Sequence, residues 1–405
     1  MRSLGIVFTL LFGMSFSFSQ HYLPMLIDTN GFTGQHLTVL GIADVSSNAL
    51  TNSLVNKFAF GGDIDQTMKD AALEKHQSIN RFGADLNAEI EYRNFNATVL
   101  KQERLGWLVK AGAYTQWEAF YNRNLFRLAM YGNSLFGEDT IQLGGTRFQS
   151  TGFQKIGFGI CDKKTGSALT LNLVGLTNRN AFELSTLNMA SVSDGDSIKF
   201  KYDMTGAFNN SGAYFKGFGL AIDFDFRFTT NNEVGDKMLF QALGRNLGFA
   251  LPTVNATRYD GMGYYSFSGY PLSDLTSGSL VFDNVQQWMD TLNVTEENER
   301  KLVLLPGFLQ IAKIVNTSST KKLQSFFGAQ LYLSKIAIPK FFVGLDYQFV
   351  PKMHLGASAS FGGYSWLKGG AYLSYTFKNW SIGASAENLF NKTGFAYLIR
   401  LQCAF

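Results

Sequence analysis

The sequence predicts an all-β chain: a transmembrane antiparallel up-and-down β-barrel of about 14 strands (12–16), with short loop or plug helices. Three observations carry this reading. Runs of about a dozen residues alternate apolar and polar side chains, as in Phe82–Arg93. A globular strand averages about 5–6 residues, whereas a membrane strand tilted near 45° needs about 9–11. The connections between runs sort by length, short on one side and long on the other. The composition is poor in charge (16%) and Pro (6 residues) but rich in Gly (41) and aromatics (15%). A soluble domain carries about 25% charge, and disorder needs still more charge with fewer aromatics.

At the N-terminus, Arg2 precedes an uncharged run from Leu4 to Phe18, and small residues stand at Ser17 and Ser19. The run is short for a membrane helix of roughly 20 residues, so residues 1–19 read as a cleaved signal peptide. Export to the outer membrane of a Gram-negative cell follows. Residues 20–405 then form the barrel, with about 20–81 as an N-terminal plug or extension segment.

Within that segment, weak alternation near 35–43 marks a further candidate strand. Asp63–Ile79 sets Ile64, Met68, Ala71 and Ala72 near helical spacing, with an Asp available as N-cap, which predicts a plug or loop helix. Phe82–Arg93 is the clearest strand. Its even side is Phe82, Ala84, Leu86, Ala88, Ile90 and Tyr92; its odd side is Gly83, Asp85, Asn87, Glu89, Glu91 and Arg93. Weaker alternation marks 105–117, 148–161, 167–177, 180–191 and 197–205. Gly217–Phe228 alternates strongly again, with Asp223, Asp225 and Arg227 on its polar side. Seven weaker runs follow at 237–251, 307–315, 323–334, 341–350, 354–362, 369–377 and 380–387. Asp283–Leu302 interrupts them with Val285, Trp288, Met289 and Leu292, and Thr295 opens an expected second helical turn.

The last residues set Phe395, Tyr397, Ile399, Leu401, Cys403 and Phe405 on one side and Ala396, Arg400 and Gln402 on the other, with Leu398 as the exception. An alternating strand ending on Phe405, with Tyr397 on the same face, is the expected signal for the barrel assembly machinery. Counted back from Phe405, short periplasmic turns are expected near Lys378–Asn379, Pro351–Met353, Asn316–Lys322, Thr229–Asp236, Val192–Asp196 and Asp162–Gly166. The longest external connections are 118–147 and 252–306.

Three short segments carry a resemblance: Asn124-Leu125-Phe126-Arg127-Leu128 with Tyr131-Gly132-Asn133, Leu243-Gly244-Arg245-Asn246-Leu247-Gly248-Phe249-Ala250, and Leu304-Leu305-Pro306. Together they resemble a family of Bacteroidota outer-membrane barrels of unknown function. The plan is more distantly similar to the long-chain fatty-acid transporter barrels, which have 14 strands. The resemblance implies a barrel and brings no catalytic residues. The chain departs from the family at Tyr264–Leu280, which is Gly- and Ser-rich.

The candidate site residues are the polar sides of the strands, expected to line the lumen. They are Asp85, Asn87, Glu89, Glu91 and Arg93; Asp223, Asp225 and Arg227; Asp346 and Gln348; Glu387; and Arg400. They either fill the barrel as ion pairs or line a solute path. Unpaired buried charge is costly, so carboxylates beside arginines suit the first. The four histidines, His21, His36, His76 and His354, share no metal-ligand spacing and read as surface or turn residues. Cys161 and Cys403 read as free thiols, with Cys403 on the lipid-facing register. No catalytic set, metal site or cofactor is expected, and no basic block suggests nucleic acid. The expected partners are outer-membrane lipid and lipopolysaccharide, the barrel assembly machinery, and an outer-membrane protein partner. Two functions stand open: passage of a small or hydrophobic solute, or a non-transporting structural or assembly subunit of a surface or secretion complex.

Overall fold

A strand whose two faces meet different surroundings must segregate its side chains by parity. In the computed structural model that segregation closes into a cylinder. The structure describes residues 32–405 except 133–135, 137–139, 193–196, 210, 232–236, 268–288, 318, 320 and 389–391. The expected signal peptide therefore lies outside the described residues. The elements begin with β1 (Gln35–Ser47), α1 (Asn52–Phe60), α2 (Gln66–Lys75), β2 (Ile79–Asn94), β3 (Leu105–Asn122), α3 (Arg123–Tyr131) and β4 (Ile141–Gln142). Next come β5 (Thr146–Asp162), β6 (Ala168–Val192), β7 (Ser197–Phe208), β8 (Gly217–Asn231), β9 (Lys237–Pro252), β10 (Ala256–Phe267), β11 (Val294–Glu299) and β12 (Val303–Leu304). The remainder are β13 (Phe308–Ile314), β14 (Leu323–Tyr332), β15 (Ile338–Val350), β16 (Met353–Gly363), β17 (Ser365–Phe377), β18 (Trp380–Glu387) and β19 (Gly394–Ala404).

Fourteen of these strands form the wall, all antiparallel: β1, β2, β3, β5, β6, β8, β9 and β13 to β19. Pairing of β1 with β19, from His36 opposite Ala404 to Ser46 opposite Gly394, closes the ring. Closure leaves no open edge, which a hydrocarbon surround requires. Outward positions are apolar and exposed, as at Ile156, Leu171, Leu173, Phe218, Leu220 and Ile222. Inward positions carry buried Lys, Asp, Glu and Arg. This inside-out distribution suits a lipid-facing cylinder. No helix among the described residues is long and apolar enough to cross a membrane.

At the end that carries Gln35 and Ala404 only a few residues separate β5 from β6, β8 from β9, β13 from β14, β15 from β16 and β17 from β18. The opposite end carries the long connections. There β7, β10 and β11 continue the upper part of β6 into a projecting sheet outside the ring.

Several expectations need correction. The runs 167–177 and 180–191 are one strand, β6. The ladder pairs Leu176 with Phe153 and Asn178 with Gly152, which leaves Thr177 as an extra residue. Such a bulge inverts the alternation, and the inversion reads in sequence as a break. In consequence the run 197–205 is β7, outside the wall. Val192 pairs with Ser197, so their connection lies at the long-loop end and not among the short turns. Thr295 lies in strand β11 and begins no helical turn, while Val285 and Trp288 lie outside the described residues. Of the expected plug segment, residues 35–47 are a wall strand, and α1 and α2 sit in the β1–β2 connection. Leu398 keeps the inward parity of Arg400 as the apolar exception on that face, and packs with Tyr372, Phe326 and Ile314.

The loop helices cap this connection. Asp65 accepts a hydrogen bond from the Met68 amide (2.8 Å) to start α2, and Asn122 does the same for Leu125 (2.8 Å) in α3. Leu54, Ala72 and Phe126 bring the three helices together. His76 ends α2 with its ring stacked on Phe126, centroids 3.8 Å apart. Its Nδ1 bonds the Ala72 carbonyl (2.7 Å), which leaves Nε2 to accept from the Tyr121 hydroxyl (3.0 Å). Burial, with the Arg123 charge nearby, pulls its pKa from 6.5 to about 4 against the Ala72 bond. The packed loop holds the ring neutral, whereas a loosened loop takes up a proton below pH 6.5. The packing is therefore fully present above that pH and is lost as pH falls toward about 4. Amide exchange in 66–75 and 123–131, corrected for intrinsic rate, is expected to rise on acidification. A profile flat from pH 7 to 4.5, or the same rise in His76→Phe, would contradict this role.

Candidate functional site

The inward face of β2 supplies Asp85, Asn87, Glu89, Glu91 and Arg93, all of which line a central chamber of about 220 Å³. Its other walls come from β1, β3, β5, β8, β9, β13, β14 and β19. One side is charged. Apolar side chains, Leu40, Ile42, Phe308, Ile314 and Leu398, complete the lining, with Leu40 between Glu89 and Arg400 in the ladder.

The charged side centres on a bulge between β8 and β9. The ladder passes from Ile222 opposite Leu247 to Phe224 opposite Gly244, so Arg245 and Asn246 together face Asp223. Asn246 adopts a left-handed φ of 55°, which a short amide side chain tolerates better than most. The bulge turns the Asn246 amide onto Asp223 Oδ1 (2.7 Å). Lys110 Nζ (2.7 Å) and Lys155 Nζ (2.6 Å) meet Asp223 Oδ2, and Arg245 stands 3.9 Å away. Glu89 closes the group, 3.3 Å from Lys110 and 3.6 Å from Arg245, and accepts from the Tyr114 hydroxyl. Five strands are thereby tied together by charge.

The other expected residues divide into separate groups. Arg93 donates to Glu91 (2.6 Å) and to the Gly166 carbonyl (3.1 Å). Arg227 pairs with Asp225, which also accepts from Gln241 (2.7 Å). Arg400 lines the chamber. Asp346 and Glu387 lie elsewhere in the wall. Glu387 takes Lys340 (2.9 Å) and Lys368 (3.7 Å). Asp346 takes His354 Nδ1 (2.9 Å) and the Tyr372 hydroxyl (2.5 Å). Gln348 Nε2 donates to the Pro351 carbonyl at the short-turn end (3.3 Å). His354 is thus buried inside the barrel, and His76 is buried in the loop cluster, so neither is a surface residue. Ser374 faces His354 in the ladder, yet its Oγ makes no hydrogen bond. The nucleophile–base contact of a hydrolase is therefore not made there. Cys161 and Cys403 are free and buried. Among the described residues no group of His, Cys, Asp and Glu could hold a metal ion.

Side chains reach across the lumen near both ends of the chamber. At the short-turn end Phe32 stacks on Phe95 (5.1 Å), with His36 edge-on to Phe95 (5.2 Å), and the Phe32 amide bonds the Lys163 carbonyl (2.6 Å). At the long-loop end Tyr364, from the β16–β17 turn, reaches across to β3. Its hydroxyl donates to Glu118 and accepts from Gln116 (3.2 Å), and its ring stands 6.1 Å from that of Tyr332.

Sequence reasoning missed Lys110, Lys155, Lys340, Lys368, Arg245, Glu118 and Tyr364. A signal existed for the lysines: each buried carboxylate needs a cation, and these lysines stand within alternating runs.

No protein-family model and no curated protein matches the chain. Among solved structures it is similar to the toluene transporter TbuX of Ralstonia pickettii, 10% identical over 92% of this chain and 90% of that one, TM-score 0.40. The toluene transporter TodX of P. putida is 12% identical with the same coverage and a TM-score of 0.39. A FadL homologue of Pseudomonas aeruginosa is 7% identical, again over 92% and 90%, TM-score 0.38. The barrel itself is read from its own ladder, which makes this chain a closed 14-stranded antiparallel barrel.

Proposed function

We propose that this barrel passes a small, largely apolar solute across the outer membrane through its central chamber. The observation that carries the reading is the chamber: about 220 Å³, partly apolar in its lining, with side chains crossing the lumen near both ends. A side chain swings aside at far lower cost than a folded domain unfolds, so gated passage suits this construction. Leu40, Ile42 and Leu398 form the solute's apolar contact, while the neighbouring ion pairs hold the wall. In this reading the chain is exported by a signal peptide, inserted by the barrel assembly machinery, and surrounded by outer-membrane lipid and lipopolysaccharide.

Proteoliposomes carrying the barrel are expected to take up a small apolar tracer faster than protein-free vesicles. Filling the chamber with Leu398→Trp should cut that uptake by roughly ten-fold while heat-modifiable mobility persists. Uptake equal to protein-free vesicles, or unaffected by Leu398→Trp, would remove the reading.

A structural or assembly role is the second reading, favoured by the projecting sheet of β6, β7, β10 and β11. Native extraction yielding a stable complex lost on deletion of 256–299, with no uptake by the isolated barrel, would favour it.

A further inference from the structure

The outward face of the wall carries a recess that barrel closure does not require. The ladder sets Ala88, Ala113, Gln154 and Gly175 side by side across β2, β3, β5 and β6. Side chains directly opposite on one face lie about 5 Å apart. Gln154 is the one long side chain in that row, and the short Ala and Gly positions beside it leave a hollow between longer neighbours. Ile90, Ile156 and Leu173 bank it on one side. On the other stands an aromatic shelf: the Phe215 ring lies so close over Gly175 that an added Cβ would sit 2.4 Å from it. Phe215 packs on Phe218, ring centroids 5.7 Å apart. The recess measures about 710 Å³ and is apolar almost throughout.

One polar pair interrupts it. Gln154 is an amide on an otherwise apolar outward row, and its Nε2 donates to the Tyr214 hydroxyl (2.5 Å). Tyr214 in turn packs edge-on to Phe215 (4.9 Å). A polar group facing hydrocarbon is costly unless bonded, and each such pair needs a reason to be there. As acceptor from Gln154, the Tyr214 hydroxyl keeps its own proton for an ester or phosphate oxygen.

The recess is continuous with the exposed belt of Ile90, Ile156, Leu173 and Phe218, the face turned to the bilayer. What fills a hollow there is hydrocarbon, because an unfilled void forfeits dispersion contacts along its whole lining. We propose that this recess is a lipid-binding site. It seats one acyl chain of a bilayer phospholipid over the Ala88–Ala113–Gly175 row, with the head region hydrogen-bonded at Tyr214 and Gln154. The site is separate from the chamber and stands whether or not the lumen conducts.

The test uses the full barrel reconstituted with phosphatidylethanolamine, returned to mild detergent, and weighed by native mass spectrometry. One phospholipid per barrel is expected to survive washing. Ala113→Phe, which fills the row, should abolish retention, and Tyr214→Phe, which keeps the hollow, should lower it several-fold. If Ala113→Phe fails to give heat-modifiable barrel, Ala113→Leu replaces it with the same expectation. Equal retention in filled and parent barrels would overturn the proposal. So would loss of the lipid on Leu398→Trp alone, which would place it in the lumen. A photo-crosslinker at position 113 capturing only protein would likewise overturn it.

Discussion

Asp223→Ala is expected to destabilise the barrel by about 3–5 kcal/mol, the usual consequence of removing one partner from a buried ion pair. The two lysines it holds, Lys110 and Lys155, have side chains no more than 1% exposed. Without the carboxylate they face each other and Arg245 with Glu89 as the nearest counter-charge. The Asn246 amide also loses its acceptor, which removes the reason for the β8–β9 bulge. Urea titration of folded barrel in lipid vesicles, read by gel mobility, checks the magnitude. Asp223→Ala with Lys155→Met should recover a large part of the loss, because neighbours in one charge network do not add independently. A loss under about 1 kcal/mol, or strict additivity of the two changes, would show that water reaches the cluster and screens it.

Tyr364→Ala, made in a Phe32→Ala background that clears the short-turn end, is expected to turn a closed barrel into a conducting one. Tyr364 spans the long-loop end of the lumen with its ring against Gly83, where an added Cβ would lie 2.2 Å from ring carbon. Its hydroxyl is anchored by Glu118 and Gln116. Truncation removes both stopper and anchor, so open events in planar bilayers should rise at least roughly ten-fold over the parent, as expected when a constriction is relieved. Gly83→Ala should act in the same direction with the tyrosine still present, since the new methyl displaces the ring. Tyr364→Phe keeps the ring and should stay nearly closed. If Tyr364→Ala and Gly83→Ala are both silent, the seal lies elsewhere.

The wall was legible in sequence wherever a strand keeps one parity from end to end. β2 is the clearest case, because every inward residue from Asp85 to Arg93 is polar. The ladder departs from sequence reading where a bulge inserts a residue. Thr177 reverses the phase of β6 and made one strand look like two. The Arg245–Asn246 bulge hid a motif's purpose: those residues carried the resemblance yet revealed no chemistry until their register against Asp223 was known. The carboxylates of the lumen were legible as a class; their partners were not. Parity places a lysine inside but does not say which strand faces it across the ring. Tyr364 was hidden for a related reason. It sits in a turn, and only the three-dimensional closure brings that turn opposite Glu118. Asp346 and Glu387 shared the inward parity of the chamber residues but lie around the wall from them, where inward space is filled by Phe326, Tyr372 and neighbouring side chains.

The length of β6 has a mechanical consequence. Its 25 residues run without interruption from the short-turn end into the projecting sheet. A pull on that sheet travels along one continuous backbone into the wall. There the strand is loaded along its own axis, so its hydrogen bonds to β5 and β8 resist together instead of peeling one at a time. The projection is therefore anchored as a mast is stepped through a deck, and whatever grips it would strain the barrel wall before it detached the sheet.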